Sequence, residues 1–191
     1  LASIYTPKGR QDEKSGKVTM ELPAPLLFAF QEPTQTALSE RLPIESWQHC
    51  IVSGNKVLRE IPPDKRQRRR AHDQDCQFVA PPIGGIGSEY SIDGLIKIPN
   101  EPAITLKFSI GHLGGAGDGI HFVVRANGKE IWREFVPSEP SWKEVAIPLK
   151  EYAGQAVLLS LAADCGKAGN NTSNDYALWG DVQWVNQVDS K

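Results

Sequence analysis

Apolar and polar residues alternate along much of the second half of the chain. Ile120-His121-Phe122-Val123-Val124-Arg125, then Glu130 to Val136, then Trp142-Lys143-Glu144-Val145-Ala146-Ile147 each place every second side chain on one face, as a half-buried β-strand does. Asn127-Gly128 lies between the first two runs. That dipeptide accepts the positive φ values of a two-residue type I′ turn, so Ile120 to Val124 and Ile131 to Phe135 are expected to pair as an antiparallel hairpin. The run Val157 to Ala162, apolar but for Ser160, follows a turn at Ala153-Gly154-Gln155 and reads as a further strand. A long polar loop and a last strand through Trp184 follow.

The earlier half is read the same way. Gln77 to Ala80, Leu95 to Pro99 and Ile104 to Ile110 are strand candidates, and Ser46 to Val52 with Lys56 to Ile61 forms a hairpin around Ser53-Gly54-Asn55. Pro23 and Pro25 divide Val18 to Leu22 from Leu26 to Phe30, which makes those two runs short edge strands. Gln31 to Glu40, with a capping Thr34, has length for a helical turn or two. Pro7 to Lys17 is polar and charged, so residues 1–17 read as a flexible arm and 18–191 as a single domain. Turn signals recur about every 8 to 12 residues, and no helical repeat is sustained. The expected fold class is all-β, an antiparallel β-sandwich of jelly-roll type. A βαβ architecture is thereby excluded, and with it the nucleotide sites of parallel sheets. The glycines of Gly111 to Gly117 lack the Lys-Ser/Thr ending of a phosphate loop and precede a strand, not a helix.

Charge removes further classes. A net charge of -2 over 191 residues gives no general attraction to nucleic acid or to membrane surfaces. No run approaches the roughly 18 apolar residues of a membrane span. Leu1 to Thr6 lacks the charged-then-apolar order of a leader, so a signal peptide is expected to have been removed or to lie upstream. Lys65-Arg66-Gln67-Arg68-Arg69-Arg70 is the one strong basic run. Clustered guanidiniums suit phosphate or sulfate. Asp64, Asp73 and Asp75 dilute the field, however, and no aromatics are interleaved, so a solvated loop is the expectation. Cys50, Cys76 and Cys165 follow no metal-ligand spacing and leave open one disulfide with a free thiol or three buried thiols. The four histidines form no zinc motif, and no Gly-x-Ser-x-Gly elbow is present. The chain is therefore expected not to be an enzyme.

Binding is the better reading. A sugar is held by an aromatic face and by planar amide, carboxylate or guanidinium groups that satisfy its hydroxyls in pairs. The loop Asn170 to Tyr176, with Trp179, supplies such a set. The candidate ligand residues are Asn171, Asn174, Asp175, Tyr176 and Trp179, with Asp118 from the Gly-Asp-Gly turn. Phe122, Trp132, Trp142 and Trp184 are assigned to the core by their alternation with polar neighbours. Asp175 and Asn174 have an alternative use, capping their own loop.

The ordered set Gly-Asp-Gly-Ile-x-Phe-x-Val, Asn-Gly-Lys, Trp-x-x-Val-x-Ile-Pro-Leu, Tyr-Ala-Gly and Asn-x-x-x-Asp-Tyr-Ala-x-Trp-Gly-Asp resembles the NPCBM-type carbohydrate-binding modules. These are galactose-binding-like jelly rolls that accompany secreted bacterial glycoside hydrolases. The resemblance covers roughly Gly84 to Trp184. It implies a non-catalytic carbohydrate-binding or accessory module of an exported, multidomain bacterial protein, placed outside the cell, in the periplasm or at the cell surface. A glycan would be its partner, and a catalytic domain its neighbour. It also implies, at Asp181, an acidic side chain on a structural calcium, with no other cofactor required. The chain departs from the family at Ser88, where a His is common, and at Asp175-Tyr176-Ala177-Leu178-Trp179, where Asp-His-Ala-Asp-Trp is common. The competing readings are a structural or protein-interaction sandwich without sugar affinity, and a jelly-roll lyase or hydrolase.

Overall fold

A computed structural model describes residues 39–53, 56–81, 88–164 and 176–186, together with the backbone of 10–11 and 18–19. In chain order the strands are β1 (Arg10–Gln11), β2 (Val18–Thr19), β3 (Ser39–Arg41), β4 (Gln48–Ser53), β5 (Lys56–Ile61), β6 (Gln67–Ala71) and β7 (Gln74–Val79). They continue as β8 (Ser88–Lys97), β9 (Ile104–His112), β10 (Ile120–Ala126), β11 (Lys129–Val136), β12 (Ser141–Pro148), β13 (Ala156–Asp164) and β14 (Ala177–Asn186). Short 3-10 turns occupy Ile44–Ser46, Pro63–Lys65 and Lys150–Tyr152. One sheet runs β11-β10-β13-β8-β4-β5 and the other β12-β9-β14-β7-β6, with β3 beside the far half of β14. Neighbouring strands in both are antiparallel. This is the antiparallel β-sandwich of jelly-roll type that the alternation predicts. β1, within the stretch read as an arm, pairs with β2, at the start of the run Val18 to Leu22 read as a short strand.

The core is the set of inward side chains two apart on each strand. Ile104, Leu106, Phe108 and Ile110 of β9 meet Ile120, Phe122, Val124 and Ala126 of β10 and Val157, Leu159, Leu161 and Ala163 of β13. Burying side chains of this size stabilises the fold by about 1.5 to 3 kcal/mol each before entropy is counted. The β10–β11 hairpin turns at Asn127 (φ 52) and Gly128 (φ 79), the two left-handed residues a type I′ turn requires. β4 and β5 form the expected second hairpin.

Two expectations change, and that for the cysteines narrows. The basic run is not a loop: Arg68 to Arg70 lie on β6, which pairs with β7 across a two-residue turn at His72 (φ 49) and Asp73 (φ 61). Of the segment Gln31 to Glu40 read as a helical turn, Ser39 and Glu40 belong to β3 against β14, and 31–38 lies outside the described residues. Cys50 and Cys76 are both buried free thiols. Burial pushes the Cys50 thiol up to about 12, so it stays protonated and inert. Cys165 is outside the described residues.

Candidate functional site

The sandwich has two outer faces, and they differ. On the β11-β10-β13-β8-β4-β5 sheet the centre of that face is itself buried, at Val123, Leu158 and Ala162. Its charged groups are satisfied by one another: Arg125 donates both guanidinium nitrogens to Glu89 (2.6 and 2.8 Å), and Asp164 joins His121 (3.0 Å) and Arg133 (3.0 Å). That face is closed.

The other sheet exposes an aromatic row. Trp142 on β12 lies opposite Gly111 on β9, which lies opposite Leu178 on β14, which lies opposite Phe78 on β7. Gly111 and Gly180 leave the room for the indole. A Cβ on Gly111 would sit 2.5 Å from Trp142 Cε3, and one on Gly180 would sit 2.8 Å from Cη2. The His72 ring, carried by the β6–β7 turn, stacks on the indole at 5.0 Å and 18°. Tyr176 enters from the head of β14 and packs on Phe78 at 5.5 Å. Trp142 and Tyr176 are half-buried, and His72 is exposed. Beneath them Cys76, Phe78 and Leu178 form a small apolar cluster separate from the main core. Gln74 reaches under the same patch, and its Oε1 is buried without a hydrogen bond. An apolar floor, partly exposed rings and a side-chain amide are the parts of a sugar platform.

The predicted site residues separate. Tyr176 belongs to this patch. Trp179 does not: it is fully buried, against Phe108 (5.3 Å) and Phe122 (5.1 Å), because Ala177 and Trp179 point inward while Leu178 and Gly180 point outward. A Trp179→Ala change would open a core cavity costing about 3 to 5 kcal/mol, so it would report on folding, not on ligand. Trp142 reverses the other way, from expected core to platform. Phe122 and Trp184 are core, and Trp132 packs edge-on against Phe108 at 5.3 Å. Asp118 stands at the head of β10 in the other sheet. Asn171, Asn174 and Asp175 lie outside the described residues.

Asp181 sits in a bulge of β14 with φ 46, between Gly180 and Gln183. It lines a narrow crevice with Asp75, Glu45, Arg41 and Arg68. Glu45 is already paired with Arg68 at 2.9 Å, and the two guanidiniums oppose a dication. Among the described residues no group of three His, Cys, Asp or Glu side chains could hold a metal; a calcium at Asp181 would rest on that one carboxylate and on loop carbonyls. A wider groove of about 460 Å³ between β11 and the end of β12 offers one aromatic, Tyr152, among two lysines and two glutamates.

The titratable groups displaced by burial serve the framework. His49 is fully buried; its Nε2–H donates to the Ile44 carbonyl (2.9 Å) and its Nδ1 accepts from the Tyr90 hydroxyl (3.0 Å), and burial pushes it down to about 4. His112 Nδ1 accepts from the Gly114 amide at 2.8 Å, and burial lowers its pKa too. Among the described residues no helix is long and apolar enough to cross a membrane.

No family model and no curated protein matches the chain. Among solved structures it is similar to the CBM51 module from Clostridium perfringens GH95 in complex with methyl-galactose, at 15% identity over 77% of this chain and 99% of that one, with a TM-score of 0.44. It is also similar to the K1 cleaved adhesin domain of Lys-gingipain from Porphyromonas gingivalis W83, at 14% identity over 76% and 95% of the two chains, with a TM-score of 0.45. A third is the family 30 carbohydrate-binding module of the cellulosomal cellulase Cel9D-Cel44B of Clostridium thermocellum, at 12% identity over 75% and 94%, with a TM-score of 0.44.

Proposed function

We propose that the chain is a non-catalytic carbohydrate-binding module that receives a glycan on the outer face of the β12-β9-β14-β7-β6 sheet. The observation that carries this reading is the placement of Trp142. A large aromatic is seated over two glycines on an outer face, stacked with His72, and flanked through Leu178 by Phe78 and Tyr176. Side chains that only had to fill a core would face the other way, as Trp179 does. The rings take the apolar face of a sugar. A module of this kind works by holding an exported enzyme or adhesin to its polysaccharide, which places it outside the cytoplasm beside a catalytic or anchoring domain.

A glycan array probed with the isolated chain tests this. Binding is expected, and Trp142→Ala and Tyr176→Ala are each expected to weaken it about tenfold, equivalent to about 1.4 kcal/mol, with the cooperative unfolding transition retained. If the folded chain binds no glycan, or if both variants bind as the parent does, the face is not a sugar site. In that case a protein-interaction domain becomes the reading.

A further inference from the structure

The basic run of β6 is sorted by the pleat of the strand. Arg69 lies opposite Cys76 and so shares the outer face with Phe78, while Arg68 and Arg70, opposite Gln77 and Asp75, turn to the other side. Arg68 is paired with Glu45 at 2.9 Å, and Arg70 approaches Asp73 at 4.0 Å. Arg69 takes part in no ion pair among the described residues. Its guanidinium carbon instead lies 4.9 Å from the centroid of the Phe78 ring, whose neighbour is Tyr176. The acid further along this face, Glu144, is held by Lys107 at 3.3 Å. Beside the aromatic row, therefore, Arg69 is a positive charge in no ion pair among the described residues, on a planar group that the ring beneath it orients.

We infer that the glycan taken by this face is anionic, with a uronate carboxylate or a sugar sulfate accepted by Arg69 while the ring carbons rest on the aromatic row. The inference rests on the glycan-binding reading. A guanidinium presents paired N–H donors that fit two oxygens of either group, which a neutral hydroxyl cannot match. A nucleic acid would need a track of cations following its phosphates, whereas Arg69 is the cation in contact with the rings of this row: the strand turns Arg68 and Arg70 away, and Lys107 is held by Glu144.

The experiment is affinity electrophoresis of the native chain in gels containing unsulfated chondroitin, chondroitin sulfate or a neutral galactomannan, with an oligothymidylate gel as the nucleic-acid arm. The chain is expected to be retarded by one or both acidic polymers at least tenfold more strongly than by galactomannan. The two chondroitins separate the carboxylate from the sulfate. Arg69→Gln is expected to abolish the acid preference at an unchanged melting temperature, and Arg70→Gln to leave it intact. Raising salt is expected to weaken the parent and not Arg69→Gln. Equal retardation by galactomannan, unaffected by Arg69→Gln, overturns the anionic ligand and leaves a neutral-sugar module. Retardation by no polysaccharide overturns the module itself. Retardation by oligothymidylate alone, lost in Arg69→Gln, overturns the inference in favour of nucleic acid.

Discussion

The aromatic row depends on two absent methyl groups. A Cβ on Gly111 would meet Trp142 Cε3 at 2.5 Å and the Ser141 carbonyl oxygen at 2.8 Å, and the second of these is backbone and cannot swing aside. Gly111→Ala is thus expected to cost about 1 to 3 kcal/mol, the usual penalty of overfilling a packed site, and to expel the indole. Urea unfolding together with the red shift of tryptophan emission checks both parts. A Gly111→Ala chain as stable as the parent would mean the indole does not lie where it is described. The orientation of Trp142 was legible in the sequence: it is three residues from Val145 and five from Ile147, odd spacings that place it opposite to both. Trp179 and Trp184 are also an odd five apart, yet both are inward. A regular strand cannot do that. The extra residue of the bulge, Asp181, resets the parity so that Val182 and Trp184 return to the core. Sequence alternation reads faces correctly until a bulge intervenes, and in Gly180-Asp181-Val182 the local sign of one is the glycine, which Gly111 shares without a bulge.

Two hairpin turns show why one element was legible and another was not. Asn127-Gly128 carries its own conformational signature, and the apolar alternation on both sides agrees with it. Gln67-Arg68-Arg69-Arg70-Ala71 is polar on both faces, as an edge strand can be, and its turn is His72-Asp73, which has no glycine. The turn is held left-handed by β6–β7 pairing against local preference, with the His72–Trp142 stack as partial compensation. The same argument predicts opposite outcomes for two substitutions. Gly128 has open space around it, so Gly128→Val is penalised by φ alone, about 1 to 2 kcal/mol. Asp73→Gly relieves a non-glycine left-handed residue and is expected to raise stability by roughly 1 kcal/mol, since the Arg70–Asp73 contact it removes is an exposed one at 4.0 Å. Chemical denaturation of the two variants settles the signs. Much of the platform was hidden for a related reason: the rings come from four separate segments, and only the sheet register brings Trp142, His72, Phe78 and Tyr176 onto one face.

For the whole molecule, the buried His49 sets an acid limit. It is pushed down to about 4, against an ordinary value near 6.5, so between those values the unfolded chain binds a proton that the folded chain refuses. Its stabilising contribution is complete above about pH 6.5 and is lost as pH falls through 4, a loss of about 3 kcal/mol. Asp93 acts with the opposite sign. Burial raises its carboxyl pKa despite the Ser91 hydroxyl donated to it at 2.7 Å, so its contribution is present in acid and lost as pH rises through the folded value. Imidazole nitrogen shifts separate the two: His49 is expected to be neutral in the native state at pH 5 while the urea midpoint declines from its value at pH 7. A His49 protonated at pH 5 would contradict the buried pair with Tyr90. The position of β14 has a consequence of a different kind. It is the last strand in the described order, yet it lies inside its sheet, with β9 on one side and β7 and β3 on the other. A chain emerging from the ribosome at about 5 to 20 residues per second has made β7 and β9 long before the strand that joins them. Until residue 186 is out, both present open edges and an uncovered apolar face, so the nascent chain passes through a period in which its half-built sheet is a ready substrate for chaperones.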